Sequence, residues 1–382
     1  VTTALRLYLA GQLASVACSW AQVVALSVVA VRIDPALLGW VVAAQFLPSL
    51  LLGPWFGVVA DRYDRRVLLI GAEAGLGLVA VGYATAQACD ALDRPVLLGA
   101  ATAWGILNAL DTPARQALLP SLAPGAAVRL PALTGVVLLT GMTTGSALGG
   151  WLVATAGPMW VFVLNAGSFA ADVVVLHRVG RLVGAPPRAV RARGQLREGL
   201  RYVLVTPPLR TSMLALAVIG TFAMTFPVSV PLLATGTFAG DPAFVGTAIA
   251  TVTGGSLAGA AGMAVKAPRR NLGGVAALAL AMSSAGVAAA PGPFFALAGL
   301  ALVGVTWSIY LTSTIAVLQT ADPRFLGRVM ALFGVLLVGS NPIGGPIAAA
   351  LAEAAGPRAP FVLGAAAAGA GWLLLGKWYW HP

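Results

Sequence analysis

Side chains able to do acid–base, nucleophilic or metal chemistry are scarce in this sequence. Its 382 residues carry 12 Asp and Glu, 2 His and 2 Cys. Four carboxylates stand out because apolar runs surround or adjoin them: Asp172 and Glu73 lie inside such runs, and Asp34 and Asp111 lie near run ends. A carboxylate held away from bulk water can take up and release a proton, which is what coupling to a proton gradient requires. Asp172, then Asp34, are the candidates for that role; for Asp172 the alternative is a structural pairing with a neighbouring polar group or Arg. His177 and His381 are isolated, Cys18 and Cys89 stand far apart in sequence, and no CxxC occurs. No disulfide, metal site or other cofactor is expected, and no enzyme activity. The chain also lacks a GxxxxGK[ST] loop, so it should not itself use ATP.

A second set of residues is polar without being titratable, and it falls in stripes. Gln12, Ser15, Ser19 and Gln22 recur at helical spacing, as do Trp104, Asn108, Asp111 and Arg115. Thr221 and Thr225, with Met224, form a third stripe, and Thr306, Tyr310 and Ser313 a fourth. Amide, hydroxyl and aromatic groups mixed in this way suit an amphipathic organic solute. The alternative is hydrogen bonding between helices without solute contact.

The elements that must carry these stripes follow from composition. Hydrophobic residues make up 59% of the chain and charged residues 9%, against roughly 25% charged in soluble domains. So much apolar surface belongs in lipid, where a span needs about 20 apolar residues. Twelve such runs are legible, from Leu5–Val31 to Pro360–Trp378, with Thr211–Ala234 as the seventh and Phe325–Leu351 as the eleventh. The first is too long for a cleavable signal, so none is expected. The fold class is therefore an all-α membrane protein of twelve transmembrane helices. Residues 1–180 form an N-terminal six-helix bundle, 181–210 a linker, and 211–382 a C-terminal six-helix bundle. Inside the linker, Leu196, Leu200 and Val203 share one face of a short amphipathic helix that would lie on the membrane surface.

The net charge of +11 describes topology rather than nucleic-acid binding. Of the 23 Lys and Arg, all but Arg32, Arg94 and Arg358 fall on one side of a twelve-span arrangement. Positive residues mark the cytoplasmic side, so both termini and the linker are expected there.

The segment Gly57-Val-Val-Ala-Asp61-Arg62-Tyr-Asp-Arg65-Arg66 resembles the G-x-x-x-D-R-x-x-R-R signature of the major facilitator superfamily, at its expected place between spans two and three. The resemblance implies a conformational latch: Gly57 lets span two approach span eleven, Asp61 caps span eleven, Arg62, Arg65 and Arg66 complete the turn, and Arg115 of span four is the carboxylate's partner. Glu73 would belong to that network. Gly141-Met-Thr-Thr-Gly145-Ser146-Ala-Leu-Gly149-Gly150 is similar to the span-five motif of antiporters in the superfamily, with Ser146 where the family has Pro. Gly141, Gly145 and Gly149 form a groove for close helix packing, and Gly344 and Gly345 are their counterparts in span eleven. Each span is followed by a Gly-Pro pair, Gly157-Pro158 and Gly356-Pro357, and such parallel halves are a transporter signature. Asp111–Pro120, Leu196–Tyr202 and Leu318–Val329 narrow the likeness to the bacterial exporter branch that includes the enterobactin exporter and macrolide-type efflux proteins.

That resemblance implies two pseudo-symmetric six-helix bundles in a bacterial inner membrane. It implies a secondary active exporter of a drug, siderophore or secondary metabolite, working by proton antiport with alternating access. Its partners would be a small-molecule substrate, protons and membrane lipid, with no nucleic acid, and a monomer is the family default. Two alternatives keep the fold: a flippase for lysophospholipid or another lipid-like substrate, and a proton-independent metabolite facilitator or importer.

Overall fold

The computed structural model describes residues 3–122, 130–182, 195–265 and 271–379. The side chains of Asp61 and Arg62, residues 183–194 of the linker, and the basic positions Arg129, Lys266, Arg269 and Arg270 lie outside what is described. The described chain is helical nearly throughout. It begins with α1 (Thr3–Ile33), α2 (Leu37–Arg62), α3 (Arg65–Ala88), α4 (Arg94–Leu122), α5 (Leu130–Ala156) and α6 (Pro158–Leu182). A short α7 (Gln195–Val205) follows, then α8 (Pro207–Phe222), α9 (Phe226–Phe238), α10 (Pro242–Val265) and α11 (Leu272–Ala288). The chain continues through α12 (Pro293–Leu318), α13 (Pro323–Gly339), α14 (Asn341–Ala355) and α15 (Ala359–Tyr379).

Among the described residues, nine stretches are long and apolar enough to cross a bilayer, with α8–α9 and α13–α14 each counting as one. Leu37–Gly53 and Leu272–Ala288 are shorter apolar helical stretches. Helix α4, span four of the sequence reading, is 29 residues long and carries Asp111 and Arg115 in its second half. The chain is thus an all-α, multi-pass membrane protein. Large apolar side chains such as Trp55, Leu78, Met282, Phe294 and Leu373 point outward, as lipid-facing residues do.

Spans seven and eleven, read from sequence as continuous, are each interrupted. Span seven breaks between Phe222 and Phe226. Pro227 has no N–H to donate to the carbonyl four residues back, and its ring crowds that carbonyl. At the start of α9 the Thr225 and Ser229 hydroxyls pair at 2.7 Å. Span eleven breaks at Ser340, two residues before Pro342, and the Ser340 hydroxyl donates to the Leu337 carbonyl at 2.9 Å. Helix ends are otherwise set by familiar local chemistry. Asp64 and Asp322 cap α3 and α13, accepting from the N–H of Arg66 and Arg324. Gly157 and Gly356 terminate α5 and α14 with φ of 91° and 93°, a conformation open to glycine at little cost.

Packing divides the chain into two units, Val1–Val190 with Gly240–Ala250, and Arg191–Ala239 with Thr251–Pro382. Within the first, α1 packs on α5 and α6, α2 on α4, and α3 on α4 and α6. The second repeats the scheme: α8 packs on α15, and α11 on α12 and α15, α12 meets α10 where Gly304 abuts the Val252 carbonyl, and α14 meets α8 where Gly344 abuts the Thr221 carbonyl. The same spans therefore pair in both halves. In the first unit Gly141, Gly145 and Gly149 lie against Val16, Ala17 and Ala21 of α1. In the second unit α7 docks on α13. Tyr202 stacks on Phe325 with ring centroids 4.4 Å apart, the Tyr202 hydroxyl accepts from the Asp322 N–H, and Glu198 pairs with Arg328, while Val203 of the same helix is buried.

Candidate functional site

A cavity of about 220 Å³ opens within the first unit. Span one supplies Gln12, Ser15 and Ser19, with Trp20 beside them. Span four supplies Trp104, Asn108, Asp111 and Arg115, span three Glu73 and Leu76, and span six Phe169. Two of the polar stripes thus meet at one void. A polar stripe on a membrane helix turns inward because lipid offers its groups no hydrogen-bond partner.

Arg115 organises one side of this cavity. Its Nε donates to Asp111 Oδ2 at 3.0 Å, one helical turn away, and its Nη2 reaches Asp111 Oδ1 at 3.1 Å. The same Nη2 donates to Asp172 Oδ2 at 3.3 Å and to Glu73 Oε1. Nη1 lies 3.5 Å from the Tyr8 hydroxyl. Four spans therefore converge on one guanidinium, whose planar fork of five donors can serve several carboxylates at once. Glu73 and Asp172 are almost wholly buried, at 2% and 1% exposure. Three carboxyl groups face one positive charge, and Glu73 Oε2 and Asp172 Oδ1 have no hydrogen-bond partner in the structure.

Asp34 is differently placed. It pairs with Arg94 beyond the end of α1, its side chain is 32% exposed, and its Oδ1 accepts from the Ala36 N–H at 2.9 Å. Gln22, the last residue of the span-one stripe, is buried and accepts from Asn165 Nδ2 at 2.8 Å. In the second unit, Thr221 and Ser313 donate to carbonyls of their own helices, and Thr306 does so while lying 3.5 Å from the Ser283 hydroxyl. Tyr310 is fully buried beside Trp307. Thr225 lines a much smaller void, about 10 Å³, with Ser229 and Ser284. Gly57 is half-buried in α2 and Gly345 buried in α14; Arg65 and Arg66 open α3.

Sequence reasoning passed over Tyr8, Trp20, Asn165 and Phe169. Tyr8 continues the Gln12 stripe one turn toward the N-terminus. Asn165, Phe169 and Asp172 are spaced four and three apart, which puts them on one face of α6. Glu73, expected to share a network with Arg115, pairs with that guanidinium and also lines the cavity.

Comparison with known proteins agrees with this architecture. Residues 2–378 match the model of the family described as transmembrane secretion effector. The multidrug efflux pump Tap of Mycobacterium tuberculosis is 30% identical over 342 residues, covering 84% of this chain and 80% of that protein. An uncharacterized MFS-type transporter of Bacillus subtilis, YfiS, is 27% identical over 271 residues, covering 69% and 62%. Among solved structures, a bacterial homologue of the iron transporter ferroportin superposes with a TM-score of 0.76 at 15% identity, covering 99% of both chains. A bacterial homologue of the lysosomal transporter Spinster gives 0.72 at 16%, covering 98% and 94%. At these identities the structural likeness is one of fold.

Proposed function

The chain belongs to the transmembrane secretion effector family of major facilitator transporters, and from that premise we propose that it exports a small amphipathic organic solute in exchange for protons. It is a transport protein, not an enzyme. The observation that carries the export reading furthest is the cavity of the first unit, where an aromatic and amide wall adjoins the Arg115 carboxylate cluster. The aromatic groups suit the apolar part of a solute, and the cluster can hold the proton that moves in exchange. Efflux as the direction follows the relatives named as multidrug efflux pumps.

Asp172 is the coupling carboxylate we favour over Asp34. It is buried among the groups with which it would trade a proton, whereas Asp34 meets solvent and Arg94. Alternating access would come from rocking of the two halves, with the Asp61 turn as a latch. The protein would sit in a bacterial inner membrane with both termini in the cytoplasm.

Reconstitution into liposomes with an imposed pH gradient tests this reading. Dye or antibiotic flux should follow the gradient, and Asp172→Asn, which cannot ionise, should remove the gradient dependence while Asp34→Asn keeps it. Asp61→Asn should still bind the compound but turn over slowly. Flux that ignores the gradient in the unmodified protein would favour the facilitator alternative and end the antiport proposal.

A further inference from the structure

We infer that the outward face of the linker helix α7 docks on anionic phospholipid: Leu200, Leu204 and Val205 enter the headgroup–acyl boundary, and Arg201 takes lipid phosphate, with Arg210 and Arg324 at the starts of α8 and α13. The roll of α7 is set by its other side. Glu198 pairs with Arg328, Tyr202 stacks on Phe325, and a methyl group added at Gly199 would come within 2.7 Å of Arg328 Cβ. Those contacts turn Leu200, Arg201, Leu204 and Val205 away from α13, within an arc of about 140° at 100° per residue. Leu200, Leu204 and Val205 are 47%, 50% and 70% exposed, and Arg201 is exposed with them.

Connectivity places this face at the bilayer. Only Thr206 separates α7 from α8, which opens the membrane-crossing stretch Pro207–Phe238. The Thr206 N–H donates to the Tyr202 and Val203 carbonyls, each at 3.2 Å, so helical turns continue up to the point of entry. Phe325, on which Tyr202 stacks, lies in the first turn of α13, where another crossing stretch begins. A helix held between the starts of two spans meets the interface, and water is a poor environment for its three apolar side chains.

Charge selects the lipid. Arg201, Arg210 and Arg324 are exposed, and none has an ion pair among the described residues. The acidic groups on these elements are already engaged: Glu198 pairs with Arg328, and Asp322 caps α13. Counting Arg328, four cations stand against two carboxylates. Basic residues beside apolar ones draw a helix to an anionic interface, whereas a zwitterionic surface returns no net attraction.

The test uses the full chain with Cys18→Ser, Cys89→Ser and Leu204→Cys, labelled with an NBD fluorophore and placed in nanodiscs of phosphatidylcholine alone or with phosphatidylglycerol. Phosphatidylglycerol should shift the NBD emission to the blue and shield it from aqueous iodide. Raising salt from about 0.1 to 1 M, which cuts the Debye length from about 10 to 3 Å, should reverse much of that change. Arg201→Gln, Arg210→Gln and Arg324→Gln should each lower the ratio of lipid-buried to water-exposed label about fivefold. The same label on native Cys89, beside exposed Asp90, should not respond to phosphatidylglycerol.

The lipid comparison is made on one labelled protein and so does not depend on how the arginine variants fold. Emission that stays water-like in both lipids overturns the inference. Equal burial of the label in both lipids removes the anionic claim, and so does an equal response at Cys89. A blue shift in lipid-free detergent that grows with protein concentration would give the face to a second copy of the chain instead.

Discussion

At Arg115 a single guanidinium is shared by Asp111, Glu73 and Asp172. Removing one partner of a buried ionic group is far more damaging than never having built it, because the charges left behind lose compensation without regaining water. Arg115→Ala should therefore destabilise the protein by roughly 3–5 kcal/mol, read as a drop in melting temperature in detergent, while Arg115→Lys should fall between. Lys keeps the charge but lacks the planar fork that reaches three carboxylates at once. An Arg115→Ala protein melting with the unmodified one would mean that the cluster contributes little to holding spans one, three, four and six together. The cluster is only partly legible in sequence. Asp111 and Arg115 are one turn apart on one helix, so their pairing is written in spacing; Glu73 and Asp172 join them only because α3 packs against both α4 and α6.

At the scale of elements, close approach of helices matters more than any single polar contact. A methyl group added at Gly145 would run into the Ala17 backbone, and one at Gly149 would come within 2.5 Å of Ala21 Cα. Small residues let membrane helices come together along their backbones, where van der Waals packing is the main attraction. Gly145→Val should force α1 and α5 apart and cost about 1–3 kcal/mol or block folding, measured as the fraction of monodisperse protein on size exclusion after mild heating. Gly99→Ala is the control, since nothing lies within 4 Å of an added methyl there; loss of folding by both variants equally would detach the effect from the α1–α5 approach. The glycine spacing in span five announces a groove, but sequence does not say that α1 fills it. Likewise the linker helix reads as an amphipathic surface element. In the fold its Tyr202 stacks on Phe325 of α13 and Val203 is buried, while Leu200, Leu204 and Val205 stay exposed.

For the whole molecule, a native cysteine reports the orientation in the membrane. Cys89 is exposed just past α3, whereas Cys18 is half-buried inside α1. The bias of Lys and Arg puts the α3–α4 connection on the non-cytoplasmic side. A membrane-impermeant maleimide should therefore label Cys89 in intact cells without permeabilisation, and Cys89→Ser should abolish that signal. Labelling that appears only after permeabilisation would invert the topology. Two of the three basic residues assigned to that side have local partners that account for their placement: Arg94 pairs with Asp34, and Arg358 donates to the Ala290 carbonyl at 2.8 Å.

Twelve spans, a membrane setting, two alike halves and the polar faces of spans one and four were all determined by the sequence alone. Each depends on local composition or helical period, which one chain displays without help from its neighbours. Tertiary structure decided which faces meet. It gathered Glu73, Asp111 and Asp172 around Arg115, left Glu73 Oε2 and Gln12 Oε1 without partners in one cavity, and gave Gln22 to Asn165. It also broke spans seven and eleven, where hydropathy averages across Pro227 and Pro342 and hides the missing backbone donor. Burial and pairing depend on helices distant in sequence, so the buried carboxylates acquire their chemistry only when the bundle closes around them.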